Sequence, residues 1–573
     1  MIEWSTACPD WERRIVAGES LIPFEPLFPA EAEAALEVFK SLSVVDIPWI
    51  EGDDGKPRPQ TFGECCDQWV FDFVGAIFGA YDPKSARRLI NEFLLLISKK
   101  NAKSTIAAGI MVTALIRNWR HLQELLLLAP TIEVANNSFG PAAAMVNYDE
   151  ELRSILTVHA HVRTIKHEVT EAELKIVAAD SDTLSGKKAG FVLVDELWLF
   201  GKKARAAAML QEATGGLVAR PEGFVVYLTT HADEPPAGVW NQKLTYFRAV
   251  RDGEIDDPQT LGMLFEFPER MIKDRAYLKP ENYYVTNPNI GRSVTGEWIK
   301  RKLHMTFQGE NEEDDTQSFL AKHLNVPIGM NLRRDRWEGA DHWQAAEFKE
   351  IADLDEMLAR SEVVTAGVDG GGLDDLLGLA LIGREAETGR WLLWAMSCCF
   401  KVALDRRKSI REQLKDFEKH GDLKICDGDD EDVTIVADVI EKVLKVGLFP
   451  QKNAIGLDPV GVAAIIDELT ERGISPEQMV GVPQGYKLSG VTKGMARKLF
   501  DGTLVHGGSQ MMTWCVSNAK TEIRGNASYV TKQASGTMKI DPLIAAFNAF
   551  DLMSRHPEAA GLSVYSSRGA LVI

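Results

Sequence analysis

Uninterrupted apolar runs alternate with helical segments between about residues 90 and 230. Four of these runs are 91–97 (NEFLLLI), 124–131 (ELLLLAPT), 191–196 (FVLVDE) and 223–230 (GFVVYLTT). A strand with one solvated face alternates apolar and polar residues, whereas a strand buried on both faces is apolar almost throughout. The first half of the chain therefore predicts an α/β domain with a mainly parallel sheet.

The second half of the chain has a different pattern. Three apolar segments with hairpin-like spacing, 363–372, 377–383 and 390–400, precede a helical segment at 432–447 and a strand at 453–461. A chain of 573 residues is too long for one core, so a separate mixed α/β domain is expected. The predicted organisation is an N-terminal extension (1–60), an α/β domain (61–310), a polar linker (311–362), a second domain (363–555) and a tail (556–573).

Composition excludes several classes of protein. No apolar stretch reaches the roughly 18–20 residues that span a bilayer, and the N-terminus lacks the basic and apolar regions of a secretory signal. The seven cysteines are odd in number and form no C-x-x-C pair, which fits a reducing cytoplasm. A net charge of −19 argues against a protein that coats nucleic acid, but it does not exclude transient DNA binding by local basic patches.

The segment 94–105 (LLLISKKNAKST) has the outline of a phosphate-binding loop between a strand and a helix. In the pattern G-x-x-x-x-G-K-[S/T], backbone N–H groups and the lysine hold phosphates while the hydroxyl holds Mg²⁺. Lys103 and Ser104 occupy the last two positions, but Ile97 and Ala102 replace both glycines. A lysine-rich turn ahead of a helix remains the alternative interpretation.

Two further strand ends carry candidate nucleotide-site residues. Asp195 and Glu196 follow an apolar run, and in phosphate-loop enzymes such acids hold Mg²⁺ and orient the attacking water. Thr229 and Thr230 end the strand at 223–230, where paired hydroxyls can sense the γ-phosphate. Solvated acids and turn threonines are the alternatives for either pair alone.

Three separated carboxylates lie at element ends in the second half. Asp369 ends a strand before a glycine-rich turn, Asp458 ends another strand, and Asp541 begins an apolar helix. Carboxylates from different elements suit Mg²⁺ or Mn²⁺, and two such ions can cleave a phosphodiester. Each could also be a turn acid, and Asp374 and Asp375 either add a ligand or close the hairpin. Basic clusters at 333–336, 405–411 and 487–498 are candidate phosphate contacts.

These motifs, from about residue 62 to 555, resemble the large terminase subunits of tailed double-stranded DNA bacteriophages and prophages. The family's loop, R/K-K-N-G-K-S/T, routinely lacks the first glycine and has a basic residue four positions before its lysine. By that resemblance the ATP-binding residues are Lys99, Asn101, Ala102, Lys103, Ser104, Thr105 and Asp195. FVLVDELW is similar to the Walker B strand with Glu196 as the catalytic acid, and YLTT is similar to the coupling motif with Thr229 and Thr230. The segments around Asp369, Asp458 and Asp541 resemble the three acidic nuclease motifs.

The resemblance implies both a fold and a function. The expected fold is a P-loop (ASCE/RecA-like) ATPase domain followed by a ribonuclease-H-like α/β nuclease domain. The expected function is a motor that hydrolyses ATP with Mg²⁺ to move DNA into a procapsid, with a Mg²⁺- or Mn²⁺-dependent endonuclease that cuts concatemeric DNA. Ser104 and Asp195 would bind the first metal, and Asp369, Asp458 and Asp541 would form the second metal site.

The resemblance also implies partners and a location. They are double-stranded DNA, the small terminase subunit and the portal protein of the procapsid, with an oligomer on the portal, no membrane, and a place in the host cytoplasm. The alternatives are a helicase–nuclease of DNA repair and an inactive prophage remnant with a scaffolding role. The first should carry a second strand–loop–helix unit, which the sequence lacks, and intact Lys103, Glu196 and Asp369 argue against the second.

Overall fold

The structure is a computed structural model that places most of the chain in two compact units, Met1–Ile328 and Gly329–Ile573. It describes residues 4–178, 188–201, 203, 206–233, 236–307, 312–327, 336–407, 410–428, 430–458, 463–524, 527–532 and 539–559. Within these residues, every helix is too short or too polar to cross a bilayer.

The helices of the first unit are α1 (Trp11–Ala17), α2 (Pro29–Ser41), α3 (Phe62–Cys65), α4 (Gln68–Phe78), α5 (Lys103–Arg117), α6 (Ile132–Asn147), α7 (Glu150–Ile155), α8 (Leu197–Phe200), α9 (Ala206–Thr214), α10 (Gly238–Asp252), α11 (Glu269–Lys273), α12 (Gly296–Thr306) and α13 (Glu312–Leu324). Its strands are β1 (Ser43–Val44), β2 (Ile50–Glu51), β3 (Pro57–Arg58), β4 (Gln60–Thr61), β5 (Tyr81–Asp82), β6 (Arg87–Arg88), β7 (Glu92–Leu96), β8 (Glu124–Ala129), β9 (Leu156–His159), β10 (Thr164–His167), β11 (Glu173–Ala178), β12 (Ala189–Val194), β13 (Phe224–Thr229) and β14 (Thr260–Leu264).

The main sheet of the first unit has the order β14-β7-β13-β12-β8-β11-β10-β9. The strands from β14 to β11 run parallel, and β10 and β9 add an antiparallel edge. The apolar residues of β7, β8, β12 and β13 are buried on both faces, as their uninterrupted hydrophobic sequences predict. The predicted mainly parallel sheet is confirmed, and it places the carboxyl ends of β7, β13 and β12 side by side.

The helices of the second unit are α14 (Ala340–Trp343), α15 (Leu354–Arg360), α16 (Lys401–Arg406), α17 (Arg411–His420), α18 (Glu431–Val446), α19 (Ala463–Glu471), α20 (Ser489–Phe500), α21 (Gln510–Asn518) and α22 (Asp541–Met553). Its strands are β15 (Ser361–Gly370), β16 (Leu377–Glu385), β17 (Trp391–Phe400), β18 (Leu423–Cys426), β19 (Ile455–Leu457), β20 (Met479–Gly481), β21 (Leu504–His506), β22 (Ala519–Arg524) and β23 (Ala527–Lys532).

The main sheet of the second unit has the order β18-β17-β16-β15-β19-β20, and β21 also pairs with β17. The long strands β15, β16 and β17 are antiparallel neighbours, whereas β19 runs parallel to β15. Helix α22 packs along β15 and β16, with its apolar side chains buried. This arrangement positions the start of α22 beside the carboxyl ends of β15 and β19.

The segment predicted as a linker, 311–362, contains folded structure. Helix α13 lies in the first unit, and α14 and α15 lie in the second. Trp337 and Trp343 are 2% and 1% exposed and belong to the hydrophobic core of the second unit. The stretch 311–362 has no hydrophobic periodicity that would predict these contacts, because Trp337 lies outside the helices and strands and Trp343 ends the four-residue helix α14.

Candidate functional site

The phosphate-loop segment 97–102 joins β7 to α5 at the carboxyl edge of the first sheet. Ile97 continues the strand, since its N–H donates to Thr229 O at 3.0 Å, and its φ is not positive. Ala102 has φ 58° and ψ 23°, so the second missing glycine corresponds to a position in the left-handed region. Lys103 begins α5 and is 6% exposed.

Four predicted residues converge at this edge. Lys103 Nζ lies 3.9 Å from Glu196 Oε1, and Ser104 Oγ donates to Asp195 Oδ2 at 3.2 Å. Asp195 is fully buried, and burial together with the neighbouring Glu196 carboxylate raises its pKa to about 6. A lysine, a hydroxyl and two acids therefore meet where β7 and β12 end, although their motifs are about ninety residues apart.

The surroundings of Glu196 include groups that sequence reasoning did not assign. Trp198 Nε1 donates to Glu196 Oε2 at 2.5 Å, and Ser138 Oγ donates to Asp195 Oδ2 at 3.3 Å. Glu196 itself has φ 52°, so its backbone is in the left-handed region. The motif FVLVDELW contains Trp198, but nothing in the sequence indicated that its indole would orient the carboxylate.

The two threonines at the end of β13 lie next to this cluster. Thr229 Oγ1 accepts from Trp198 N at 3.2 Å and donates to Thr230 O at 2.8 Å, while Thr230 Oγ1 donates to His231 O at 3.1 Å. Both side chains are fully buried. The Thr229 hydroxyl therefore connects the end of β13 to the turn that carries Glu196.

The remaining predicted loop residues have different environments. Lys99 N donates to Lys322 O at 2.7 Å, and burial lowers the pKa of the Lys99 side chain. Asn101 is fully buried and donates to Ser98 O at 3.1 Å, so its amide closes the loop on itself. Thr105 lies half-buried in the first turn of α5.

The three predicted nuclease acids lie at one edge of the second sheet. Parallel pairing of Val368 with Leu457 places the next residues, Asp369 and Asp458, at adjacent strand ends. Asp369 pairs with Gly378 of β16, and a Cβ built at Gly378 would lie 2.9 Å from the carbonyl carbon of Asp541. The backbone therefore brings the three positions together from β15, β19 and α22.

Asp374 and Asp375 have cationic partners in the hairpin after β15. Arg407 Nε donates to Asp374 Oδ1 at 3.2 Å, and the buried Lys539 forms an ion pair with Asp375. Lys539 precedes Asp541 by two residues, so this ion pair ties the hairpin to the segment that enters α22. Of the predicted basic clusters, residues 333–335 and 408–409 lie outside the described residues.

The side-chain oxygens at the two sites determine which ions could bind there. Among the described residues, no group of three or more His, Cys, Asp or Glu side chains is already arranged to coordinate a metal ion. The donors at both edges are nevertheless hydroxyl and carboxylate oxygens, which are the ligands that Mg²⁺ and Mn²⁺ prefer. The donor chemistry thus fits the predicted ions, and the metal-binding roles stay predictions.

Comparison with known families finds two matching models, one spanning the residues of the first site and the other spanning those of the second. Residues 68–248 match the family model for the terminase large subunit ATPase domain, and residues 263–556 match the model for the terminase large subunit endonuclease domain. The terminase large subunit of Lactococcus phage p2 is 19% identical over 477 residues, covering 81% of this chain and 82% of the relative.

Solved structures of large terminases are also similar to the chain. The crystal structure of the HK97 bacteriophage large terminase is 18% identical, covers 91% of this chain and 99% of that one, and has a TM-score of 0.45. The large terminase of a thermophilic bacteriophage, solved in complex with ATP-gamma-S, is 13% identical, covers 82% of this chain and 94% of that one, and has a TM-score of 0.29.

Proposed function

Since this chain belongs to the terminase large-subunit family, we propose that its two activities reside in separate units, with ATP hydrolysed in Met1–Ile328 and DNA cut in Gly329–Ile573. The chain is an ATPase and an endonuclease of the phage DNA-packaging machinery. The main support for the ATPase site is the 3.9 Å distance between Lys103 Nζ and Glu196 Oε1, next to the hydrogen bond that Ser104 donates to Asp195.

Each residue of the ATP site has a role that its position supports. Lys103 and Lys99 supply positive charge to the phosphates, and the loop residues Asn101 and Ala102, with Thr105 in the first turn of α5, shape the backbone around them. Ser104 and Asp195 would hold Mg²⁺, which neutralises charge on the phosphate oxygens. Glu196 orients the attacking water, and Thr229 and Thr230 couple the state of the nucleotide to the end of β13.

The nuclease site is Asp369, Asp458 and Asp541. Their shared sheet edge supports this assignment, because three carboxylates from separate elements would repel one another unless a cation lay between them. The ions they would hold are Mg²⁺ or Mn²⁺, which activate water and stabilise the leaving oxygen in phosphodiester cleavage. Lys539 and Asp375 hold the flanking segments that present Asp369 and Asp541.

The partners follow from the family and not from a contact in the structure. They are double-stranded DNA, the small terminase subunit and the portal protein of the procapsid, on which the chain works as an oligomer in the host cytoplasm. DNA is the partner that the nuclease chemistry itself requires.

The ATP site is tested by two substitutions and a matched control. Lys103→Ala should lose ATP binding, while Glu196→Gln should bind ATP and hydrolyse it more slowly by about 10²–10⁴-fold. Lys243→Ala is the control, since Lys243 Nζ pairs with Glu92 at 2.8 Å at the opposite end of β7. Binding measured with a fluorescent ATP analogue and turnover measured as phosphate release separate the two roles. Turnover at the wild-type rate by Glu196→Gln would contradict the assignment.

The nuclease site is tested by plasmid nicking in the presence of Mn²⁺. Each of the single substitutions Asp369→Asn, Asp458→Asn and Asp541→Asn should abolish nicking and leave ATP hydrolysis intact. Asp353→Asn is the control, because Asp353 accepts from Asp355 N at 2.7 Å at the start of α15, the helix that leads into the opposite end of β15. If one of the three Asn variants nicks as the wild type does, that aspartate is only a turn residue.

A further inference from the structure

A segment distant in sequence holds the phosphate loop from outside. Asn101 Nδ2 donates to Asn287 Oδ1 at 2.9 Å, and Asn289 N donates to Asn101 Oδ1 at 3.1 Å. Asn289 Nδ2 also donates to Asn101 O at 3.2 Å. All three asparagines are at most 5% exposed, so these hydrogen bonds are shielded from water. A donor or acceptor that lost its partner here could not bond water instead, and the loss would destabilise the loop.

The same segment, residues 286–293, contacts two more positions of the loop. Ser98 N donates to Thr286 O at 3.4 Å, and Ser293 Oγ donates to Lys100 O at 2.6 Å. Backbone or side-chain bonds therefore reach Ser98, Lys100 and Asn101. We call residues 286–293 the loop brace.

The loop needs support because two of its residues adopt an unfavourable backbone conformation. Lys100 has φ 71° and Ala102 has φ 58°, in the left-handed region. A residue with a Cβ loses roughly 1–2 kcal/mol there, whereas glycine adopts it freely. Such conformations persist only where the surrounding structure imposes them. The loop brace bonds Lys100 itself and Asn101, the residue directly before Ala102, and so supplies that constraint.

The brace is itself anchored to two helices. Asn287 Nδ2 donates to His323 O at 3.0 Å, at the end of α13. Trp69 Nε1 of α4 donates to Asn289 Oδ1 at 3.1 Å. Arg292 pairs with Asp67 at 2.7 Å, immediately before α4. These contacts make the brace a fixed support for the loop.

We propose that Asn287 and Asn289 are positioning residues for ATP, which hold Ala102 in the left-handed conformation that a glycine would otherwise supply. The proposal rests on the assignment of residues 97–105 as the phosphate loop. The brace acts through the loop backbone and touches no reacting atom. Its loss should therefore weaken nucleotide binding more than it slows the chemical step.

The first test compares two buried asparagines. Asn289→Ala should raise the KM for ATP and the Kd for a non-hydrolysable ATP analogue by about tenfold, the equivalent of one lost buried hydrogen bond, with little change in kcat. Asn118→Ala is the control, since Asn118 is 7% exposed and bonds Arg120 at 2.7 Å after the end of α5. It should lower the melting temperature without changing either constant.

The second test introduces the missing glycine. Ala102→Gly should recover most of the ATP affinity lost in Asn289→Ala, and should change the affinity of the otherwise wild-type chain much less. This non-additivity is expected only if Ala102 and the brace act on one backbone conformation. A general loss of stability would not be repaired by a glycine in the loop.

Ser293→Ala keeps the test decisive if Asn289→Ala fails to fold, because Ser293 is exposed and contributes a bond to Lys100 O. It should raise the Kd by a factor of several, and Ala102→Gly should reverse that rise. Wild-type affinity in a folded brace variant, or a loss that Ala102→Gly does not reduce, would overturn the proposal. If Lys103→Ala also binds ATP normally, the phosphate-loop assignment itself has failed, and not only the brace.

Discussion

The missing side chain at Gly378 lets the backbone of Asp541 and Pro542 approach β16 closely, and we expect Gly378→Ala to impair DNA cleavage selectively. Gly378 lies in β16 opposite Asp369, beneath the first turn of α22. An added Cβ would lie 2.7 Å from Pro542 N, 2.8 Å from Pro542 Cα and 2.9 Å from Asp541 C. These are backbone atoms, so no side-chain rotation can make room for the methyl group.

The size of the effect follows from these distances. Ordinary van der Waals contact begins at 3.4 Å, so the start of α22 must move by about 0.7 Å relative to β16. Overpacking of this kind typically costs about 1–3 kcal/mol of stability. A misplacement approaching 1 Å at a reacting group can cost about 10²-fold in rate, so we expect nicking to fall by roughly 10–100-fold.

The assay is plasmid nicking with Mn²⁺, with ATP hydrolysis by the same preparation as the internal control. Gly490→Ala in α20 is the matched variant, because an added Cβ there meets nothing within 4 Å and the substitution leaves every basic side chain of the 487–498 cluster in place. It should leave nicking unchanged and be at least as stable, since alanine suits a helix better than glycine. Nicking at the wild-type rate by a folded Gly378→Ala protein would refute the reasoning that this contact positions Asp541.

Three further predictions concern other parts of the chain. Trp198→Phe removes the indole bond to Glu196, so kcat for ATP should fall by about tenfold with little change in KM, measured by steady-state phosphate release. Burial and four neighbouring lysines lower the pKa of His323 to about 4, so the folded state favours its neutral form. The wild type should therefore lose stability as the pH falls from 6.5 to 4, and His323→Phe should lose less, measured by urea unfolding at both pH values. A fragment of residues 329–573 should unfold cooperatively in calorimetry, whereas a fragment of residues 363–573 should not, because only the longer fragment contains the core residues Trp337 and Trp343. Cooperative unfolding of both fragments at the same temperature would contradict this.

The elements that the sequence predicted best are strands whose apolar run leads, within the same continuous stretch of sequence, to the residues of a site. The apolar run of β12 ends directly before Asp195, and that of β13 ends at Thr229. The run of β7 ends at Leu96, and the phosphate loop that follows leads to Lys103. The apolar sequence and the residue type at each strand end therefore both predict a site at the carboxyl edge of the sheet. Asp369 and Asp458 followed from the same reasoning in the second unit. Strands buried on both faces are typical of parallel sheets, and in a parallel sheet the carboxyl ends of neighbouring strands lie at one edge, which brings these site residues together.

Short or isolated elements were not predictable in the same way. Strand β14, with the sequence TLGML, and the three-residue strands β20 and β21 are too short to show a period. The antiparallel edge formed by β9 and β10 depends on pairing, which sequence alone does not reveal. Trp337 and Trp343 lie in a polar stretch, so only the packing of the second unit shows that they belong to its core.

The phosphate loop shows why a glycine pattern can miss a nucleotide site. Its glycines are markers for backbone conformations that residues with a Cβ avoid, and a protein can impose the same conformations by other means. In this chain Lys100, Ala102 and Glu196 all have positive φ, and all three lie at the proposed ATP site. The bonds from Asn287 and Asn289 come from nearly two hundred residues away, so no local motif could report them. Where a phosphate loop lacks its glycines, the strained backbone must therefore be held by contacts from elsewhere in the tertiary structure, because no residue within the loop relieves the strain.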